Sequence, residues 1–110
     1  MSRFKNDIIE AAEGEAIEAV VIGEMGWGGD YGSEKITDYE KQPRGVVLSW
    51  ADAAPILDYE YNTGYGSPEC NAVYVWTTER VLFVTQYDGS TCISSVPRHP
   101  VNVVPEMPGG

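Results

Sequence analysis

Asp58, Glu60, Asn62 and Glu69 fall at positions one, three, five and twelve of a calcium-loop spacing. Such a loop needs oxygen ligands at these steps and a glycine at position six for its sharp turn. Here position six is Thr63 and position eleven is Pro68. Strands rather than helices are expected on either side, so the match does not predict a calcium site. Asp58 and Glu60 also form a carboxylate pair of the kind that cleaves glycosidic bonds, but no cleft-sized chain surrounds them.

Other chemistry is equally thin. Ser33 and Ser67 lack the Gly-x-Ser-x-Gly frame of a hydrolase nucleophile. Gly26, Gly28 and Gly29 follow an expected strand, but their spacing is wrong for a dinucleotide fingerprint, and no lysine completes a phosphate loop. His99 is the only histidine, wedged in Pro97-Arg98-His99-Pro100, where nothing nearby orients it as a base. Cys70, Cys92 and one histidine fall short of the four ligands of a zinc site. The sequence therefore predicts no catalytic residue, no metal ligand and no cofactor.

The aromatic loops are the better clue. Trp27, Tyr31, Tyr39, Tyr59, Tyr61 and Tyr65 alternate with Gly, Asp and Glu along Gly26 to Ser33, Glu34 to Arg44 and Asp58 to Ser67. Tyr and Trp give large contact area at small conformational-entropy cost and recur as interface hot spots. About half of these rings are expected to roof the core and half to face a partner. Asp30-Tyr-Gly-Ser33 and Gly64-Tyr-Gly-Ser67 echo each other, though four residues make no internal repeat.

Charge is the most unusual bulk property. Seventeen acids against seven bases leave the 110-residue chain at −10, and residues 1–60 hold thirteen of the acids with five bases. Nucleic-acid binding needs a basic patch to displace counterions, and none is present. An anionic membrane surface is disfavoured for the same reason. No run approaches the ~20 apolar residues of a membrane helix. The N-terminal residues show neither the apolar region nor the cleavage site of a signal peptide, so the cytoplasm is the expected location.

The elements that must position these loops centre on Asn71 to Pro97, read as a three-stranded antiparallel meander. Asn71 to Thr77 and Arg80 to Tyr87 are rich in Val, Tyr, Trp, Phe and Thr. Asp88-Gly89 suits a type I′ turn, Thr78-Glu79 is a weaker turn, and Pro97 ends the third strand. Two-residue loops set Trp76 opposite Val81, Tyr74 opposite Phe83, Ala72 opposite Thr85, Tyr87 opposite Ser90, Thr85 opposite Cys92 and Phe83 opposite Ser94. One face then carries Tyr74, Trp76, Val81, Phe83, Tyr87, Cys92 and Val96. The other carries Val73, Val75, Leu82, Val84 and Ile93 and is the natural core face. The aromatic face is covered either by the rest of the chain or by a partner. Cys70 falls on the face of Cys92, too far away for an unstrained disulfide.

Upstream, Asn6 is placed to cap a short helix from Asp7 to Glu13, with Gly14 as its stop. Glu15 to Met25 reads as a strand, with Ile17, Ala19 and Val21 on one side and Val20 and Ile22 on the other. Gly45 to Leu48 starts a short strand. Ser49 caps a helical turn, Trp50 to Ala54, limited by Pro55. Residues 98–110 hold three prolines and are expected to form an extended tail behind a single globular domain of residues 1–97.

The expected fold is small α+β, a mainly antiparallel sheet of four or five strands with one or two short helices on one face. An all-β sandwich or partial barrel is the alternative. The expected function is that of a non-enzymatic acidic inhibitor or accessory factor that occludes a basic, nucleic-acid-binding surface of a partner protein. Small mobile-element proteins that block defence nucleases share this composition, an analogy of class alone. The partner-facing set is Trp27, Asp30, Tyr31, Asp38, Tyr39, Glu40, Asp58, Tyr59, Glu60, Tyr61 and Tyr65. The alternatives are a homodimer through the aromatic sheet face, and a small-ligand or sugar binder using the aromatic glycine loops.

Overall fold

A computed structural model describes residues 1–28 and 39–109. Five antiparallel strands form one sheet, and two helices pack on one of its sides. In chain order the elements are β1 (Ser2–Arg3), α1 (Phe4–Ala11), β2 (Ile17–Met25), β3 (Val47–Leu48), α2 (Trp50–Leu57), β4 (Glu60–Tyr61), β5 (Asn71–Thr77), β6 (Arg80–Tyr87) and β7 (Ser90–Pro97). The main sheet runs β3-β2-β5-β6-β7, and β1 and β4 form a separate two-stranded ribbon. The fold is α+β with sheet predominating, as expected.

The meander forms in the register that its turns dictate. Tyr74 lies opposite Phe83, Trp76 opposite Val81, Thr85 opposite Cys92, and Tyr87 opposite Ser90. Asp88 and Gly89 take φ of 50° and 80°, the left-handed pair that an I′ turn requires. Period-two alternation then separates the faces. Val73, Val75 and Leu82 are buried, while Val84 and Ile93 pack against the same core. Val20 and Ile22 of β2 join them, and Phe4, Ile8, Ala12, Ala53 and Leu57 descend from the helical side.

Several local expectations are corrected. Helix α1 begins at Phe4 rather than after Asn6, with no side-chain cap at Arg3. Tertiary structure replaces the cap, because the Phe4 N–H donates to the Tyr59 carbonyl at 2.9 Å and its ring is fully buried. Left-handed φ at both Glu13 and Gly14 ends the helical path. Helix α2 starts where expected, with the Asp52 N–H donating to Ser49 Oγ at 3.1 Å. It continues through Pro55 to Leu57. The carbonyl that Pro55 leaves without its helical donor belongs to Ala51, and both residues lie on the exposed side of the helix, within reach of solvent.

Two residues change face. A bulge in β2 pairs Ile17 with Thr77 and Ala19 with Trp76, so Ile17 sits on the core side instead of beside Ala19 and Val21. Cys70 precedes the regular part of β5 and turns into the core, whereas Cys92 is exposed on the opposite face. Both thiols are free. Burial pushes the Cys70 thiol up to about 12.

Candidate interaction surface

The helices cover one side of the sheet, and among the described residues no helix or strand covers the other, called the open side below. Pairing and alternation place Val47 of β3; Ala19, Val21 and Gly23 of β2; Ala72, Tyr74 and Trp76 of β5; Val81, Phe83, Thr85 and Tyr87 of β6; and Ser90, Cys92, Ser94 and Val96 of β7 on that open side. None of these fifteen residues carries a charge; the two register shifts of β2 leave Glu18 and Glu24 between them, paired with Arg98 at 2.8 Å and with Arg44 at 3.8 Å. Tyr74 retains 59% of its accessible surface, Tyr87 65% and Val47 75%. Trp76, Val81 and Phe83 are half-buried. Tyr74 stands edge-on to Trp76, with ring centroids 6.1 Å apart.

The face has relief. Gly23 and Ala72 are its small residues, and a Cβ added to Gly23 would meet the Ala72 Cβ at 3.3 Å. With Val21, Gly45, Tyr74 and Phe83 they line a shallow trough of ≈ 450 Å³. A smaller hollow of ≈ 160 Å³ adjoins it across Ala72, bounded by Trp27, Pro68, Thr85 and Gln86. The aromatic ridge of Tyr74 and Trp76 therefore stands beside an apolar depression. An apolar depression of this size takes a partner's ring or branched side chain.

The loop residues expected to meet a partner are divided by the structure. Trp27 and Tyr65 are exposed, at 75% and 87%. Tyr65 lies over the β6–β7 turn, where any Cβ on Gly89 would overlap its ring. Tyr39, Tyr59 and Tyr61 turn inward. Tyr39 accepts the Met25 N–H at 2.8 Å and donates to Glu24 Oε2 at 3.2 Å, with the Arg44 guanidinium 4.0 Å above its ring. The Tyr59 hydroxyl accepts the Asn71 backbone N–H and donates to Asn71 Oδ1, both at 2.8 Å. Tyr61 is fully buried in the core, and its hydroxyl donates to Asp7 Oδ2 at 2.7 Å. Desolvation holds the Tyr59 and Tyr61 hydroxyls protonated far above the usual phenol range.

The acids of the second loop are compensated. Asp58 lies 3.0 Å from Arg3 Nη1 and 3.5 Å from Lys5 Nζ, while Glu60 lies 3.6 Å from Arg3 Nη2. The Arg3 hydrogen bond holds the Asp58 carboxyl below its usual value. Glu40 is exposed on a short 3-10 turn, Tyr39–Lys41. Asp30, Tyr31 and Asp38 lie outside the described residues. The calcium-spaced side chains take up separate tasks, since Asn62 Oδ1 accepts the Gly64 N–H at 2.9 Å while Asp58 pairs with cations. Among the described residues, no three His, Cys, Asp or Glu side chains are grouped to hold a metal. Gly26, which opens the first aromatic loop, donates its N–H to the Cys70 carbonyl, three residues past the end of the second, at 2.8 Å.

On the helical side, Arg80 closes the end of α1. Its Nη2 donates to the Ala11 and Ala12 carbonyls at 2.9 and 2.8 Å, and its Nε to Glu15 Oε2 at 2.9 Å. A cation at this position satisfies orphan carbonyls and opposes the helix dipole. Glu15 also accepts the Thr77 hydroxyl at 2.8 Å and the Glu79 N–H at 2.9 Å. These donors, the Thr77 hydroxyl foremost, hold the Glu15 carboxyl below the ordinary glutamate value.

Comparison with protein-family models, with curated proteins and with solved structures finds no match for this chain. Among the described residues, no helix is long and apolar enough to cross a membrane.

Proposed function

We propose that this chain is a non-enzymatic interaction protein that docks a protein surface onto the open face of its sheet. One observation carries the reading: fifteen positions on five strands bear no charge in a chain of net −10. A face rich in Tyr, Trp and Phe and depleted in charge has the composition of an interface centre. The largest exposed apolar patch of a protein is often its binding site.

Occlusion of a basic surface through Asp58 and Glu60 has less support, because Arg3 and Lys5 already neutralise those acids. The rings of Tyr39 and Tyr61 are likewise committed to the core. Trp27, at the margin of the open face, remains in the contact set.

The test is site-specific photo-crosslinking in cells that express the chain. A benzophenone side chain replaces Tyr74 on the open face or Ile9 on the exposed side of α1. Position 74 is expected to give one discrete protein adduct and position 9 none. Absence of an adduct at position 74, or the same adducts at both, overturns the reading.

A further inference from the structure

We infer that the occupant of the open face is a second copy of this chain, packed sheet to sheet about a two-fold axis. The inference rests on the docking reading above and names the partner. It has three supports.

The first is shape. A two-fold interface must be self-complementary, since the same patch serves both copies. This face carries a ridge, Tyr74 and Trp76, directly beside a trough floored by Gly23 and Ala72. A two-fold axis between them seats each ridge in the other copy's trough. A flat or uniformly convex face would not pair with itself in this way.

The second is area. Four long strands at ~4.8 Å spacing and about seven residues of ~3.3 Å rise give roughly 450 Å² of flat footprint per copy. Two such faces come to about 900 Å² before side-chain relief is counted, close to the ~1,000 Å² at which specific interfaces begin. Aligned packing of two sheets face to face is a common way to bury such surfaces.

The third is charge. Two copies of −10 repel, so the only surface on which they can meet closely is one without charge. The open face meets that condition. A basic partner would gain little from it, because the carboxylates beside it, Glu18 and Glu24, already pair with Arg98 and Arg44.

The charge argument also fixes the sign of the salt effect. Screening weakens repulsion between like-charged copies, so added salt must strengthen this dimer, whereas it would weaken the grip of a basic partner. Sedimentation equilibrium of the full chain at low and high salt reads this directly. The mass is expected to rise from one chain toward two with concentration, and to do so at lower concentration in high salt. Tyr74→Glu places a charge in the contact and is expected to raise the dimer Kd by about tenfold or more, with an unchanged circular dichroism spectrum because Tyr74 is exposed. Ile9→Glu, on the opposite side of the molecule, is expected to leave the Kd as it was.

A parent chain that stays monomeric throughout, or a Tyr74→Glu variant that dimerises like the parent, overturns the second copy as occupant. The docking reading is judged separately by the crosslink. An adduct from position 74 whose mass is not twice that of the chain overturns the dimer while sustaining the docking surface.

Discussion

The two faces of the five-stranded sheet are made from alternate residues of the same strands, yet they follow different rules. On the covered face Val73, Val75, Leu82, Val20 and Ile22 are aliphatic, and the helices and the buried Tyr61 close over them. On the open face the same strands present Tyr74, Trp76, Phe83 and Tyr87, with Thr85, Cys92 and Ser94 between them. Aliphatic side chains interlock at close packing and lose by any change in volume. Aromatic and hydroxyl side chains tolerate water when alone and gain when covered. Among the described residues, the chain's own elements bury fully only the aliphatic face of the sheet.

The largest effect in this comparison is expected on the covered side. Leu82→Ala removes a fully buried side chain at the centre of the sheet, and urea unfolding should show a loss of about 3 kcal/mol. A loss below about 1 kcal/mol would mean that the covered face is not the tightly packed one.

An intermediate effect is expected at Glu15, which fastens the helical layer to the β5–β6 turn. Its carboxyl is held below the ordinary value of 4.5 by Thr77, the Glu79 N–H and Arg80. Between the folded and unfolded values the unfolded chain binds more protons, so this stabilisation is present above 4.5 and is lost as the pH falls through the folded value. Glu15→Gln should therefore be less stable than the parent at neutral pH, with the gap closing in acid. Urea midpoints across the acid range check this, and a gap independent of pH would contradict it.

The smallest effect on stability is expected on the open side. Tyr74→Ser should shift the unfolding free energy of the monomer by no more than about 0.5 kcal/mol, although it removes a whole ring. Measured at low concentration and low salt, a loss comparable to that of Leu82→Ala would erase the distinction between the faces.

The meander was legible in the sequence because its information is local. Asp88-Gly89 sets the turn, the turn sets the register, and the register assigns every side chain to a face. The β1–β4 ribbon was not legible, since two-residue strands such as Ser2–Arg3 and Glu60–Tyr61 have no period to read. That omission also hid the burial of Tyr61, which looked like one more ring in an acidic loop. Ile17 changed sides because a bulge breaks the alternation without a marker in the sequence. Pro55 continued a helix because the carbonyl it orphans lies within reach of solvent. For the surface, the aromatic face was readable as a pattern, but whether the chain itself would cover it depended on where both helices lay.

The pairing of β2 with β5 has a consequence in time. Chains are made from the N-terminus, and Val20 and Ile22 emerge some fifty residues before Val75 and Val73, their partners across the sheet. At about 5–20 residues per second, α1 and β2 spend several seconds on the ribosome with their apolar side chains unmatched. Arg80, which closes α1, arrives later still. The N-terminal third is therefore the segment most dependent on prompt completion of the chain. The six acids between Asp7 and Glu24 repel neighbouring nascent copies during that interval.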